Sequence, residues 1–285
     1  MMLPQEAQDS LAALAPDFAM ACGFVSAHKR HAVQTLFAFY AHLIGIVYQA
    51  RDPMLGEIKL QWWREVFEGK RDQSEAQAHP LAQTVLETLT RYALPAHGLA
   101  DMVDAITDFL YAEPPEDLTA LEYACGRIYS VLMRYASLIL ADGQDSGPAG
   151  LAGPAGVAYG LVRVLSDVPL MRRGAHVMIP LAFFKQAGLD DTQFHTLRDR
   201  EALQLLLQPL IELAHKRLDE FRADFKQLPP ALRPAFAVMG LVGPRLERLH
   251  KDIKSASYNP DTVFDDFGPV RQVFYQWRTA AFGRV

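Results

Sequence analysis

The segment FAFYAHLIGIVYQARDPMLGEIKLQWW, Phe37 to Trp63, constrains the fold of this chain more than any other. From Leu36 to Val47 apolar residues occupy every side of a helix rather than one stripe, so that helix has to be covered all round by other elements. Asp52-Pro53 then breaks the run, and a second helical pattern resumes around Trp62-Trp63. Tyr129–Leu140 and Val157–Leu170 are apolar all round in the same way, which requires a large bundle with several central helices. Amphipathic helices such as Leu203–Phe225, with Glu212, Lys216, Arg217 and Glu220 on the wet side, would wrap it.

Helical spacing recurs almost everywhere: Leu36, Phe39, Tyr40, Leu43, Val47; Leu81, Val85, Leu86, Leu89; Leu203, Leu206, Leu207, Leu210, Leu213. Alternating strand-like runs are nearly missing, so the fold class expected is all-α with about ten helices. Breakers fall at Asp52-Pro53, His79-Pro80, Glu113-Pro114-Pro115 and Pro229-Pro230, and residues Gly143–Gly153 read as a loop. No gap is long enough for an interdomain linker, and no internal repeat stands out. Residues 1–285 read as one domain, with residues 1–15 flexible.

Composition excludes several functions. A net charge of −5 gives no general attraction to nucleic acid. Cys22 and Cys125 alone build neither a disulfide framework nor a structural zinc site, which fits a reducing compartment. The N-terminal stretch carries Glu6 and Asp9 ahead of any basic residue and resembles neither a secretory signal nor a transit peptide. The longest apolar candidate, Thr35–Ala50, is interrupted by His42 and reads as too short to span a bilayer. The expected location is the cytoplasm, at most peripheral to an inner membrane. The sequence holds no Gly-rich phosphate loop, Gly-x-Ser-x-Gly elbow, His-Glu-x-x-His or Cys-x-x-Cys.

From about Phe18 onward the chain resembles the squalene/phytoene synthase family, the head-to-head branch of the isoprenoid synthase fold. Phe18, Arg30 and Leu36-Phe37-Ala38-Phe39-Tyr40 match its opening helices, and Gly56–Trp63 with Arg64 and Gly69 matches its Trp-Arg helix. Asp108 and Tyr123 fall at acidic and tyrosine positions, and Gly160–Asp167 followed by Pro180 and Gly188 matches the second catalytic helix and its closing loop. The resemblance implies a helical bundle around a central apolar cavity. It also implies a reaction in which Mg²⁺, gripped by paired carboxylates on two facing helices, neutralises a departing diphosphate.

The chain departs from that pattern where the chemistry would sit. The first acidic pair is replaced by Ile44, Gly45 and Tyr48; in the second, Asp167 remains but its partner four residues on is Met171. Gly160 and Arg163 stand where the family has Gln and Asn, while His176 and Met178 replace a loop arginine and tyrosine. Ile44, Gly45, Tyr48, Arg163, Asp167 and Met171 are therefore expected to line the cavity as former metal positions, with no catalytic residue, no metal and no cofactor; Mg²⁺ enters only if the chain is an active enzyme. Tyr129 and Leu132 replace small residues and are expected to narrow or fill the cavity. Arg163, Arg172, Arg173 and His176 form a basic patch able to hold an anionic headgroup or diphosphate, against the plainer reading of surface charge.

Plainer readings attach to other residues. Asp167 is expected to pair with Arg163 or Arg172, since one carboxylate makes a poor Mg²⁺ site. Asp104 and Asp108 read as a solvated helix face, and His42 as a buried histidine rather than a general base. Trp62, Trp63 and Trp277 read as packing aromatics, with the segment Val270–Phe282 packed on the bundle or docking a membrane or protein. Three functions follow: a non-catalytic binding or assembly protein, similar to family members that assemble respiratory complex I; an active head-to-head prenyltransferase using prenyl diphosphates and Mg²⁺; or a prenyl-lipid binder. The partners implied are a respiratory-complex subunit, a membrane surface or a prenyl lipid.

Overall fold

The computed structural model describes residues 3–111, 113–144, 149–174, 176–264 and 266–285, and every regular element among them is helical. In chain order these are α1 (Gln5–Leu14), α2 (Pro16–Ala21), α3 (Ala27–Gln49), α4 (Pro53–Phe67), α5 (Gln73–Ala78), α6 (Pro80–Arg91) and α7 (Ala96–Thr107). They continue with α8 (Leu118–Cys125), a π-helical turn (Gly126–Ser130), α9 (Val131–Leu140), α10 (Ala149–Ser166), α11 (Val168–Arg172) and α12 (Leu181–Gln186). The last three are α13 (Arg200–Phe225), α14 (Met239–Lys254) and α15 (Pro269–Phe282).

That is fifteen α-helices among the described residues where the spacing predicted about ten. Prolines account for much of the difference: α2, α4, α6, α11 and α15 each carry one at the first or second helical position, where its missing N–H costs nothing and its fixed φ suits the helix. Several starts are also capped, Asp52 accepting from the Met54 amide at 2.9 Å and Asp199 from the Ala202 amide at 2.9 Å.

Three local expectations are corrected. Residues 5–14 form a helix instead of a loose tail, because Ala7 and Leu11 bury one face of α1 against α3. The expected loop over Gly143–Gly153 ends earlier than predicted: α10 begins at Ala149, and the Gly153 carbonyl accepts from the Ser130 hydroxyl at 3.1 Å; residues 145–148 lie outside the described ones. The apolar run thought too short for a membrane is part of the 23-residue α3, long and apolar enough by composition to cross one. Most of α3 is nevertheless buried within the protein, with Phe37, Ala38, Phe39, Ala41 and Leu43 at 2% exposure or less, so it is the core helix that its all-round apolarity demanded.

α3 packs against α1, α4, α6, α7 and α9, while α10 packs against α8, α9, α13 and α14 and forms the second central rod. Close approach of α10 to the π turn depends on two glycines one helical turn apart. A Cβ on Gly156 would lie 2.2 Å from the Ser130 amide nitrogen, and one on Gly160 would lie 2.6 Å from Cys125 Sγ and 2.8 Å from the Tyr129 ring. Behind α10 a buried polar network joins four helices. Arg245 of α14 donates to Asp17 of α2 at 2.9 Å and to Asp266 at 3.0 Å, and Tyr159 of α10 donates to Asp17 at 2.9 Å. Gln276 of α15 donates to the Asp17 carbonyl at 3.0 Å.

Candidate functional site: a tyrosine-lined cavity between two central helices

One face of α3 and one face of α10 diverge to leave a cavity of about 650 Å³. From α3 come Tyr40, Ile44, Val47 and Tyr48, spaced at i, i+4, i+7 and i+8, so they share one helical face. From α10 come Gly160, Arg163, Val164 and Asp167, again on one face, and Leu170, Met171, Arg173 and Gly174 continue the wall through α11. Tyr129 and Ile128 of the π turn, Phe109, His176 and Met178 close the remaining sides.

The π turn explains how Tyr129 reaches the cavity. Its hydroxyl lies 3.3 Å from the Tyr40 hydroxyl, and its ring meets Tyr40 and Tyr159 edge-on at centroid distances of 5.8 and 5.1 Å. The ring occupies the volume that any side chain at residue 160 would need, so the glycine there and the tyrosine at 129 are one steric arrangement. Single-turn π segments insert an extra residue and re-aim side chains in this way.

The charged centre of the cavity is one ion pair. Arg163 Nη2 lies 3.2 Å from Asp167 Oδ2, one turn apart on α10. Burial pushes the Asp167 carboxyl up from its ordinary value, and Arg163 offsets this only in part. Burial opposes the charge on Arg163, but Asp167 and the neighbouring phenols outweigh it and hold the guanidinium firmly protonated. The Tyr40 phenol is pushed up to about 12 by burial, and partial desolvation raises Tyr48, which is 64% exposed, as well, so these hydroxyls are neutral donors and acceptors near neutral pH.

The structure places most predicted positions on this cavity: Ile44, Tyr48, Tyr129, Arg163, Asp167, Met171, Arg173 and His176 all line it. Three do not. Gly45 has no side chain to reach it, and an added Cβ would sit 3.3 Å from Leu14, the last residue of α1, which lines the cavity itself. Leu132, on α9, is fully buried in the core and does not line the cavity, while Tyr129 lies in the π turn that precedes α9. Arg172 turns away from the basic patch: its Nε donates to Asp261 at 2.6 Å and its Nη1 to the Phe194 carbonyl. Of the two partners expected for Asp167, the one observed is therefore Arg163. Arg173 lines the mouth while donating to the Asp261 carbonyl at 2.9 Å.

The other acids lie apart from this wall. Asp104 pairs with Arg64 at 3.3 Å and with Arg127 at 3.8 Å, so it belongs to an ion-pair network instead of a free solvated face. Burial raises the Asp108 carboxyl. Burial lowers His42 to about 4, and its ring packs edge-on against Trp63 at 5.4 Å, as a neutral core histidine does. Among the described residues no three His, Cys, Asp or Glu side chains converge as a metal site would need.

The Mg²⁺ chemistry implied by the resemblance can be tested on these donors. Mg²⁺ prefers hard oxygen ligands in near-octahedral array and is usually held through one or two carboxylates plus substrate phosphates. Asp167 is the one carboxylate among the described lining residues; it is already ion-paired, and the nearby lining residues Ile44, Tyr48 and Met171 offer no second carboxylate. The residues present do not fit a paired-carboxylate Mg²⁺ cluster.

The family model for squalene/phytoene synthase matches residues 11–260. The chain belongs to the squalene/phytoene synthase family. Among solved structures it is similar to squalene synthase HpnC from Alicyclobacillus acidocaldarius, at 16% identity and TM-score 0.71 over 87% of this chain and 93% of that one. It is similar also to a dehydrosqualene synthase in complex with ligand, at 16% identity and TM-score 0.75 over 96% and 94% of the two chains. YisP from Bacillus subtilis subsp. subtilis strain 168 matches at 15% identity and TM-score 0.67 over 95% and 94%. At such identities the likeness shows the shared fold alone. No curated protein sequence matches the chain.

Some lining residues escaped the sequence reading although a signal existed. Tyr40 and Val47 follow from extending the helical face through Ile44 and Tyr48. Phe109 and the Asp17–Arg245 pair behind the site carry no comparable signal, since they meet the site only through tertiary packing.

Proposed function

We propose that the protein is a non-catalytic member of the family that holds an apolar-chained lipid of the prenyl type in the α3–α10 cavity and serves as a binding or assembly protein. The observation that carries this reading is the wall itself: Ile44 and Tyr48 on α3 share one cavity with Asp167, where the family's metal chemistry calls for paired carboxylates on both helices. Cavity size supports a ligand. About 650 Å³ lies within the roughly 300–1,000 Å³ of small-molecule sites, and the lining mixes aliphatic and aromatic side chains with a few polar groups. Tyr129 narrows this space, but Leu132 does not enter it, so the cavity is reduced and not filled.

The polar end of the ligand would meet Tyr40, Tyr48 and the Arg163–Asp167 pair, with Arg173 at the rim. An assembly role of the respiratory complex I type is supported by the pattern of acid loss and by the segments Gly56–Trp63, Ile179-Pro180 and Trp277-Arg278. Its partner would be a respiratory-complex subunit. The opposing reading is an active prenyltransferase that holds Mg²⁺ with acids outside this wall.

Turnover separates these readings. Purified protein incubated with farnesyl and geranylgeranyl diphosphates, Mg²⁺ or Mn²⁺ and NADPH is expected to form no C30 or C40 hydrocarbon. Product above the level of an Asp167→Ala control would overturn the proposal.

A further inference from the structure

Helix α15 is docked with its polar face inward. Gln276 and Thr279 are fully buried; Gln276 donates to the Asp17 carbonyl at 3.0 Å, and the Thr279 hydroxyl bonds the Arg284 carbonyl at 2.7 Å. A Cβ on Gly240 of α14 would stand 2.4 Å from the Tyr275 carbonyl oxygen, so α14 and α15 are in backbone contact there. The helix therefore cannot roll to hide its other side. That side is apolar: Val270 (86% exposed), Val273 (43%), Phe274 (50%) and Trp277 (44%) recur at i, i+3, i+4 and i+7, and Phe282 (56%) extends the stripe with its ring against Trp277.

The charge carried by α15 and the residues after it has one sign, and Asp266 just before the helix is paired with Arg245. Residues 267–285 contain Arg271, Arg278 and Arg284 and no Asp or Glu, in a chain of net charge −5. Arg271 stacks over Phe267 and Arg278 over Tyr275, at 5.3 and 5.6 Å from the ring centroids. Pairing of two copies through this face would bring like charges together. An anionic lipid surface instead takes up both features, the apolar rings entering the acyl boundary and the guanidinium groups meeting headgroup phosphates.

We propose that the exposed face of α15 is a peripheral docking surface for anionic lipid bilayers. This goes beyond the cavity reading and does not depend on what the cavity holds.

Sedimentation of the full chain with phosphatidylcholine vesicles, with and without phosphatidylglycerol, tests it. Binding is expected only to the phosphatidylglycerol vesicles, with Trp277 emission quenched by brominated acyl chains and that quenching lost in Trp277→Phe. Phe274→Asp, at a half-exposed position, should abolish binding while leaving the circular dichroism unchanged. The pair Arg271→Gln and Arg284→Gln should weaken binding by roughly thirtyfold, at about 1 kcal/mol for each arginine near the surface. Absence of binding by folded protein, equal binding to pure phosphatidylcholine, or binding unaltered by Phe274→Asp would each overturn the proposal. So would a dimer that Phe274→Asp dissolves, since a second copy would then be what covers the face.

Discussion

The buried network behind the cavity makes a quantitative prediction about Asp17. Its side chain and that of Arg245 are 6% and 7% exposed, and the carboxylate receives hydrogen bonds from both Arg245 and Tyr159. Asp17→Asn keeps the shape and one acceptor but removes the charge that balances a buried guanidinium. Breaking a buried pair costs about 3–5 kcal/mol, because the surviving charge is left desolvated. Arg245 retains Asp266, whose side chain is 31% exposed, so the loss should fall near the lower end, roughly 3 kcal/mol. In thermal unfolding this lowers Tm by about 2–4 °C per kcal/mol for a domain of this order of size. Burial works against the Asp17 charge, but Arg245 outweighs it and holds the carboxyl below its ordinary value of 3.8. A group depressed in the native state contributes stability that is full above 3.8 and lost as pH falls through its native value. The gap between wild type and Asp17→Asn, measured by urea unfolding, should therefore be widest near neutral pH and narrow on acidification. A loss under about 1 kcal/mol, or a gap that widens in acid, would refute the reasoning.

Further outcomes follow from the same geometry. Gly156→Ala should destabilise by about 1–3 kcal/mol or more in spite of better helix propensity, since its Cβ meets the Ser130 backbone at 2.2 Å; chemical denaturation measures this. Asp167→Asn should be no less stable than wild type at neutral pH. The wild-type carboxyl is raised by burial, so its native state gains stability as pH falls through that raised value toward 3.8, and the Asn variant should lack this rise in a pH series of melts. Tyr129→Ala should enlarge the cavity and shift ligand preference toward bulkier chains, read by native mass spectrometry of lipids retained from a mixed extract.

The all-round apolarity of Leu36–Val47 and Val157–Leu170 made the bundle and its two central rods legible before any coordinates, because such helices have few places to go. The cavity wall was legible where it followed a helical face, as with Ile44 and Tyr48 or Arg163 and Asp167. It failed where local geometry departs from the regular period. Leu132 was expected beside Tyr129, but Tyr129 sits in the π turn and lines the cavity, whereas Leu132, in the α-helix that follows, is buried in the core. Arg172 was grouped with Arg173 by adjacency, although neighbours on a helix point about 100° apart and Asp261, far along the chain, claims its guanidinium. The Asp17–Arg245 pair spans 228 residues, and no local pattern marks it.

Metal dependence of binding bears most directly on the central claim. Isothermal titration of a non-hydrolysable farnesyl diphosphate analogue, once with Mg²⁺ and once with EDTA, compares the two affinities in the wild type and in Asp167→Ala. The account predicts binding whose Kd differs by less than about threefold between the two conditions, well under 1.4 kcal/mol. Binding tightened by about tenfold or more with Mg²⁺, and lost with Asp167→Ala, would contradict it and reveal a working metal site in the cavity.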